Sequence, residues 1–180
     1  MNDLQKNLKS RVTESLVNII IDTPKGSRNK FKYDEETGHI KLSRILPVGF
    51  SFPYDFGFIP MTYAEDGDAL DVLVISESPS FSGCLITGQL IGIITGEQSD
   101  KNKTIRNDRL LAVPVTEVNP ALFEHIEDMP ANWVKEIAHF FVSYNQAEGR
   151  KYQPLKYGGP ADAIAALTAA EQEYKRIRNR

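Results

Sequence analysis

Three carboxylates fall within six residues at Asp66, Asp68 and Asp71, directly before the apolar run Val72-Leu73-Val74. Carboxylates this close repel one another unless a cation or solvent screens them. Gly67 allows the tight turn that brings them together. Hard carboxylate oxygens are what Mg²⁺ takes, usually with several waters retained. An EF-hand is excluded, because its loop needs a glycine at the sixth position, where Asp71 stands. A solvated Asp-Gly turn accounts for the same letters. The apolar run that follows instead argues that Asp71 is half buried.

A basic segment precedes this loop. Lys25, Arg28, Lys30 and Lys32 occur with no acid between Asp22 and Asp34, and Arg44 follows on the next predicted strand. Period-two alternation sets Arg28, Lys30 and Lys32 on one side of an extended chain. Such a face binds phosphate or is simply a solvated sheet surface. An acidic metal-type loop and a basic strand face together suggest phosphoryl chemistry. Metal shields the anion and activates a water, while Lys and Arg hold the leaving group.

The elements that must carry these residues are mostly strands. Leu16–Ile21 is rich in β-branched residues and ends at the turn cluster Asp22-Thr23-Pro24-Lys25-Gly26. Lys30–Tyr33 and Ile40–Ile45 flank Asp34-Glu35-Glu36-Thr37-Gly38 as a hairpin. Leu70–Ile75, Leu85–Ile94 and Leu110–Val115 read as further strands. Phe50, Phe52, Tyr54, Phe56 and Phe58 alternate, forming a core wall or a ligand-facing wall. Pro47, Pro53 and Pro60 in this stretch argue against a helix and against a regular central strand. The last third is helical. Val134, Ile137, Ala138, Phe141 and Tyr144 recur at helical period, Gly149 supplies a stop, and Pro160–Arg180 forms a second helix. Its terminal Lys175, Arg176, Arg178 and Arg180 suit a solvated helix end.

Composition limits the alternatives. The chain has 180 residues and a net charge of -3, which suits one domain over residues 1–180 and argues against bulk nucleic-acid binding. With 41% hydrophobic residues it can bury a real core. Its one cysteine, Cys84, cannot form an internal disulfide and reads as a buried thiol. His39, His125 and His139 make no close metal-ligand pair, and His139 before Phe140 and Phe141 reads as a structural histidine. The polar start, Met1–Arg11, has no apolar signal core, and no run approaches a membrane span. A cytoplasmic protein without membrane association is expected.

Several ordered blocks together resemble a known family. The stretch Asp66–Val74 is similar to the D-x-D-P-x-D-V signature of the soluble, magnesium-dependent inorganic pyrophosphatases. The similarity runs through Ile21–Asp34, Phe52–Thr62, Arg109–Val115 and Glu136–Gly149. The resemblance implies a mainly β fold with α: a distorted five-stranded, OB-like β-barrel flanked by helices. It implies hydrolysis of pyrophosphate to two orthophosphates with several Mg²⁺ ions, Mn²⁺ being an alternative. It also implies a homo-oligomer, a hexamer among bacterial relatives of similar length. By position, Asp66 and Asp71 bind metal, Asp68 is the general base, and Lys30, Arg44 and Tyr144 contact phosphate. Asp22 falls where the family has a Glu beside the site and is expected to serve the metal as a shorter carboxylate, and Arg109 falls where it carries a site Lys and is expected to bind substrate.

The departures are specific. Ala69 replaces the signature Pro, Lys32 stands in place of a Glu, Phe56 in place of a Tyr, and Asn145 in place of a Lys. Where two metal-binding aspartates are expected, Gln98 and Asn107 stand, with an insertion between them. Glu97 and Asp108, one residue away, either take over as metal ligands or are solvated loop residues. Two functions therefore remain open. One is a divergent pyrophosphatase. The other is a degenerate relative that binds Mg²⁺ and a phosphorylated ligand, or hydrolyses another phosphoanhydride. A nucleic-acid-binding module is the distant third.

Overall fold

The structure, a computed structural model, describes residues 8–34, 36–101 and 103–179. The first seven residues, Glu35 of the hairpin turn, Asn102 and Arg180 of the basic tail lie outside it. Among the described residues, nine strands run in the order β1 (Leu16–Thr23), β2 (Asn29–Asp34), β3 (His39–Ile45), β4 (Asp55–Phe58), β5 (Asp71–Val74), β6 (Leu85–Ser99), β7 (Thr104–Arg106), β8 (Arg109–Pro114) and β9 (Lys151–Gly158). Helix α1 covers Ala131–Ala147 and α2 covers Pro160–Arg178. A 3-10 turn at Ile126–Asp128 precedes α1.

Strands β1, β4, β5, β8 and β6 pair in that order, and β1 also pairs with β6. The five strands therefore close into a ring, the architecture expected from the resemblance. Closure removes the free edges that an open sheet exposes. Strands β7 and β9 add to the two sides of long β6, and β2–β3 forms a separate hairpin.

Alternation along the strands feeds two cores. Leu73, Ile75, Leu111 and Val113 pack with Phe52 and Phe56 against Val134, Ile137 and Phe141 of α1. Their neighbours Val72, Val74, Leu110 and Ala112 pack with Val17, Ile19 and Ile21 against Ala163, Leu167 and Ala170 of α2. Strands β5 and β8 are thus buried on both faces, which explains their nearly continuous apolar sequences. Gly149 has φ 72°, the left-handed value that stops α1.

The aromatic stretch departs from the expectation that it holds no regular central strand. A central strand, β4, does form there, between β1 and β5. It occupies only Asp55–Phe58, between Pro53 and Pro60, so no proline has to donate to the ladder. At Gly57 a Cβ would meet the Ile20 carbonyl oxygen at 2.1 Å, so only glycine lets β4 lie this close to β1. Phe52 and Phe56 are core residues, and Phe58, which pairs with Tyr33 at a centroid distance of 5.9 Å, lines a cleft that Phe56 also reaches. His139 is exposed rather than satisfied in a core, and Cys84 is only half buried. No helix among the described residues is long and apolar enough to cross a membrane.

Candidate active site

A cleft of about 810 Å³ opens between the β2–β3 hairpin, the Glu65–Asp71 loop and the N-terminal end of β8. Ring topology explains its position. Asp22 leaves the end of β1, while Asp71 and Arg109 open β5 and β8. The latter strands are parallel with Val72 opposite Leu110, so both chains enter the ring at the same rim. Gly67, at φ 91°, turns the acidic loop, and Asp66 Oδ1 accepts the Asp68 N–H at 3.2 Å.

Seven of the expected residues line this cleft: Asp22, Lys30, Asp66, Asp68, Asp71, Arg109 and Tyr144. Asp22 is buried and accepts the Tyr33 N–H at 2.9 Å. Burial drives its carboxyl up to about 7, with the nearby Asp71 charge adding to the rise. Burial likewise raises Asp66 and Asp71, with Arg109 opposing the rise at both. Lys30 sits between the rings of Tyr144 and Phe56, at 5.2 and 5.7 Å from their centroids. Its Nζ donates to Tyr144 Oη at 3.1 Å. Burial, helped by the Arg109 charge, lowers the Lys30 ammonium from its usual range. Burial and the neighbouring Glu148 carboxylate raise the Tyr144 phenol, keeping it a protonated donor.

Lys32 comes from the same strand and reaches the acidic loop. Its Nζ lies 2.7 Å from Asp68 Oδ1, with both side chains about half exposed (51% and 50%). Although burial works against its charge, the Asp68 hydrogen bond and the Asp71 and Asp22 charges raise it. Phe56, standing where a tyrosine is expected, supplies a ring face to Lys30 and Arg109 but no hydroxyl.

Arg109 is the most enclosed cation of the site. It is 5% exposed, and its Nη1 lies 3.0 Å from Asp71 Oδ2. The same nitrogen donates to Asn107 Oδ1 and to the Asp108 carbonyl. Asn107 Nδ2 in turn donates to Gln98 Oε1 at 3.1 Å, and both amide residues line the cleft.

The remaining expected residues lie elsewhere. Glu97 sits in β6, opposite Arg106 and Gln153, outside the cleft lining. Asp108 also lies outside it, accepting from Arg106 Nε at 2.6 Å and from the Gly96 N–H at 3.0 Å. Arg44 pairs with Glu148 at the end of α1 and lies outside the cleft lining. Sequence reasoning missed part of the outer wall. Tyr174, Ile177 and Arg178 of α2 line it, as do Lys41 of β3 and Arg150. Helical spacing of 174, 177 and 178 was the available signal, since these positions share one face. Arg178, expected to be a purely solvated helix end, stacks on Tyr174 at 5.1 Å and borders the cleft.

This arrangement sets carboxylates against an ammonium and a phenol donor across one cavity, which suits a small polyanion and a water. Comparison with known proteins agrees with it. A model of the inorganic pyrophosphatase family matches residues 19–176. The inorganic pyrophosphatase of Methanosarcina acetivorans is 37% identical over 156 residues, covering 87% of this chain and 90% of that protein. That of Streptomyces coelicolor is 38% identical over 164 residues, covering 89% and 95%. Among solved structures, the Thermus thermophilus inorganic pyrophosphatase superposes with a TM-score of 0.84 at 32% identity, covering 94% of this chain and 99% of that one. The match spans β1 to the last turns of α2 and takes in every element that borders the cleft; the chain belongs to the inorganic pyrophosphatase family.

Proposed function

We propose that this chain hydrolyses inorganic pyrophosphate to two orthophosphates in the cleft, with Asp68 as general base. The observation that carries the reading is the facing of Asp66, Asp68 and Asp71 by Lys30 and Tyr144 across one cavity. Family membership supports it, since the relatives are inorganic pyrophosphatases.

The donor set fits a divalent metal. Carboxyls that burial and mutual repulsion destabilise at Asp66 and Asp71 are relieved by a cation. Among the described residues no three His, Cys, Asp or Glu side chains form a ready-made cage, so water completes the coordination, as Mg²⁺ prefers. Asp66 and Asp71 are its ligands, with Asp22 beside them; Mg²⁺ is the expected ion and Mn²⁺ its alternative. Such an ion would supply Lewis acidity and make a bound water more acidic, easing its deprotonation by Asp68.

The chain's own groups do the rest. Asp68 takes the proton of the attacking water as its oxygen bonds to phosphorus. The bridging P–O bond breaks, and its electron pair leaves with the second phosphate. Lys30 and Tyr144 donate to that leaving group, and Arg44, through Glu148, steadies the end of α1 that carries Tyr144. Lys32 holds Asp68 in place before substrate enters.

Phosphate release from pyrophosphate with Mg²⁺, Mn²⁺ or no metal tests this, beside Asp68→Asn as control. Metal-dependent release that drops by about 10²–10⁴-fold in the variant is expected, the usual size of a general-base contribution. Unchanged activity in Asp68→Asn sinks the base assignment.

The Gln98–Asn107 amide pair favours a second reading, a relative that binds a phosphorylated ligand without efficient turnover. Tight pyrophosphate binding by calorimetry, with no phosphate released by folded protein, would establish it.

A further inference from the structure

Arg109 is a permanent positive charge built into one wall of the cleft. The rings of Phe141, Tyr152 and Phe56 lie 5.0, 5.7 and 5.9 Å from its guanidinium carbon. Gly96 makes room for this cage, since a Cβ there would meet the Tyr152 hydroxyl at 2.3 Å. A guanidinium does not deprotonate in a protein, so Asp71 has a fixed counter-charge 3.0 Å away.

A divalent ion on this side of Asp71 would have to sit beside that charge. It would also have to compete for oxygens already in use. Asn107 Oδ1 accepts from Arg109, and Gln98 Oε1 accepts from Asn107. Both are neutral amides, weaker donors to a hard cation than carboxylates. The nearby carboxylate of Asp108 is held by Arg106 and by the Gly96 N–H. The Asp66 side of the cleft differs. Asp66 Oδ1 accepts only a backbone N–H at 3.2 Å, and Asp66 has no ion-pair partner within 4.0 Å among the described residues.

We propose that Arg109 replaces a metal ion on the β6–β7–β8 wall. It neutralises Asp71 from that side and keeps Gln98 and Asn107 as a neutral hydrogen-bonded pair. The wall therefore binds no divalent ion, and the enzyme without substrate takes one ion per chain, between Asp66 and Asp71. Arg109 is in this sense a positioning residue: it sets where metal goes and how much. The inference rests on the reading that Asp66 and Asp71 hold metal, but it is tested without substrate.

Mn²⁺ is titrated into the metal-free full chain, and free ion is followed by electron paramagnetic resonance. One Mn²⁺ per wild-type chain is expected. Arg109→Gln combined with Asn107→Asp should take up a second ion, whereas Arg109→Lys, which keeps the charge, should stay at one. Circular dichroism checks each variant. Two or more ions on wild type overturn the inference, as does a folded double variant that still binds one. If the double variant does not fold, affinities decide. Asp66→Asn should weaken Mn²⁺ at least tenfold and Gln98→Ala less than twofold, and a tenfold loss in Gln98→Ala overturns the inference. A wild type that binds no Mn²⁺ overturns it together with the metal assignment, while pyrophosphate hydrolysis is judged separately by phosphate release.

Discussion

Asp71 and Arg109 open the one parallel strand pair among the described strands, and their side chains meet at 3.0 Å. Because the strands run in the same direction, the loops that precede them arrive at one rim. One loop carries Asp66 and Asp68, and the other carries Asn107. An antiparallel pairing would have put them at opposite ends of the ring. This single register thus assembles acidic loop, amide pair and guanidinium into one site.

Breaking that pair from the arginine side should be costly. Arg109→Met leaves Asp71 largely buried without its counter-charge, and such a loss costs about 3 kcal/mol or more. Adding Asp71→Asn should recover part of it, since no unpaired charge then remains. Urea unfolding of the metal-free protein, followed by Trp133 fluorescence, measures both. A single-variant loss under about 1 kcal/mol, the range of exposed pairs, contradicts the assigned burial.

Asp22 gives the metal-free protein a pH-dependent stability. Its folded carboxyl is raised from 3.8 to about 7 by burial. The native state therefore binds a proton that the unfolded chain releases near pH 4. Stability from this group is fully present below the unfolded value and is lost as pH rises towards 7. With about 1.4 kcal/mol per unit, the loss approaches roughly 4 kcal/mol at most. Asp22→Asn should flatten the stability curve between pH 4 and 7 in chelator-treated protein. An unchanged slope would show that another group is responsible.

Lys30 and Lys41 both border the cleft, but in different settings. Lys30 is enclosed by Phe56 and Tyr144, whereas Lys41 is exposed and paired with Asp34. A charge-assisted hydrogen bond in an enclosed site is worth about 1.5–3 kcal/mol, or about 10–100-fold. Lys30→Met should weaken pyrophosphate binding by that factor, and Lys41→Met by less than about 3-fold. Calorimetry with pyrophosphate compares them, and equal effects would place the substrate outside the Lys30 pocket.

Gly57→Ala tests how closely β4 must lie on β1. Its new methyl would fall 2.1 Å from a backbone oxygen that no rotamer can move. Overpacking of this kind costs about 1–3 kcal/mol, and a backbone clash belongs at the upper end. Thermal unfolding should show a clear drop, and an unchanged midpoint would mean that the two strands separate at no cost.

Much of this protein was legible in its residue order. Local period fixes which face of a strand or helix is apolar, so the runs at Leu70–Ile75 and Leu110–Val115 and the spacing from Val134 to Tyr144 identified their elements. Turn chemistry around Gly67 and the crowding of Asp66, Asp68 and Asp71 marked the acidic loop, because like charges at that spacing need a reason. The Lys30–Lys32 face opposite it was visible by alternation alone. Tertiary structure decided the rest. Strand β4 exists because β1 and β5 supply partners on both sides, which no count of prolines between 47 and 60 reveals. Residues one position apart point to opposite faces of a strand. Register in β6 therefore determined that Gln98 lines the cleft while Glu97 does not, and the short link between β7 and β8 brings Asn107 to the cleft but not Asp108. The Asp71–Arg109 pair spans strands far apart in sequence, and the Arg178 approach depends on how α2 packs on the ring. Local spacing fixes what each segment buries; only closure of the ring fixes which charges meet.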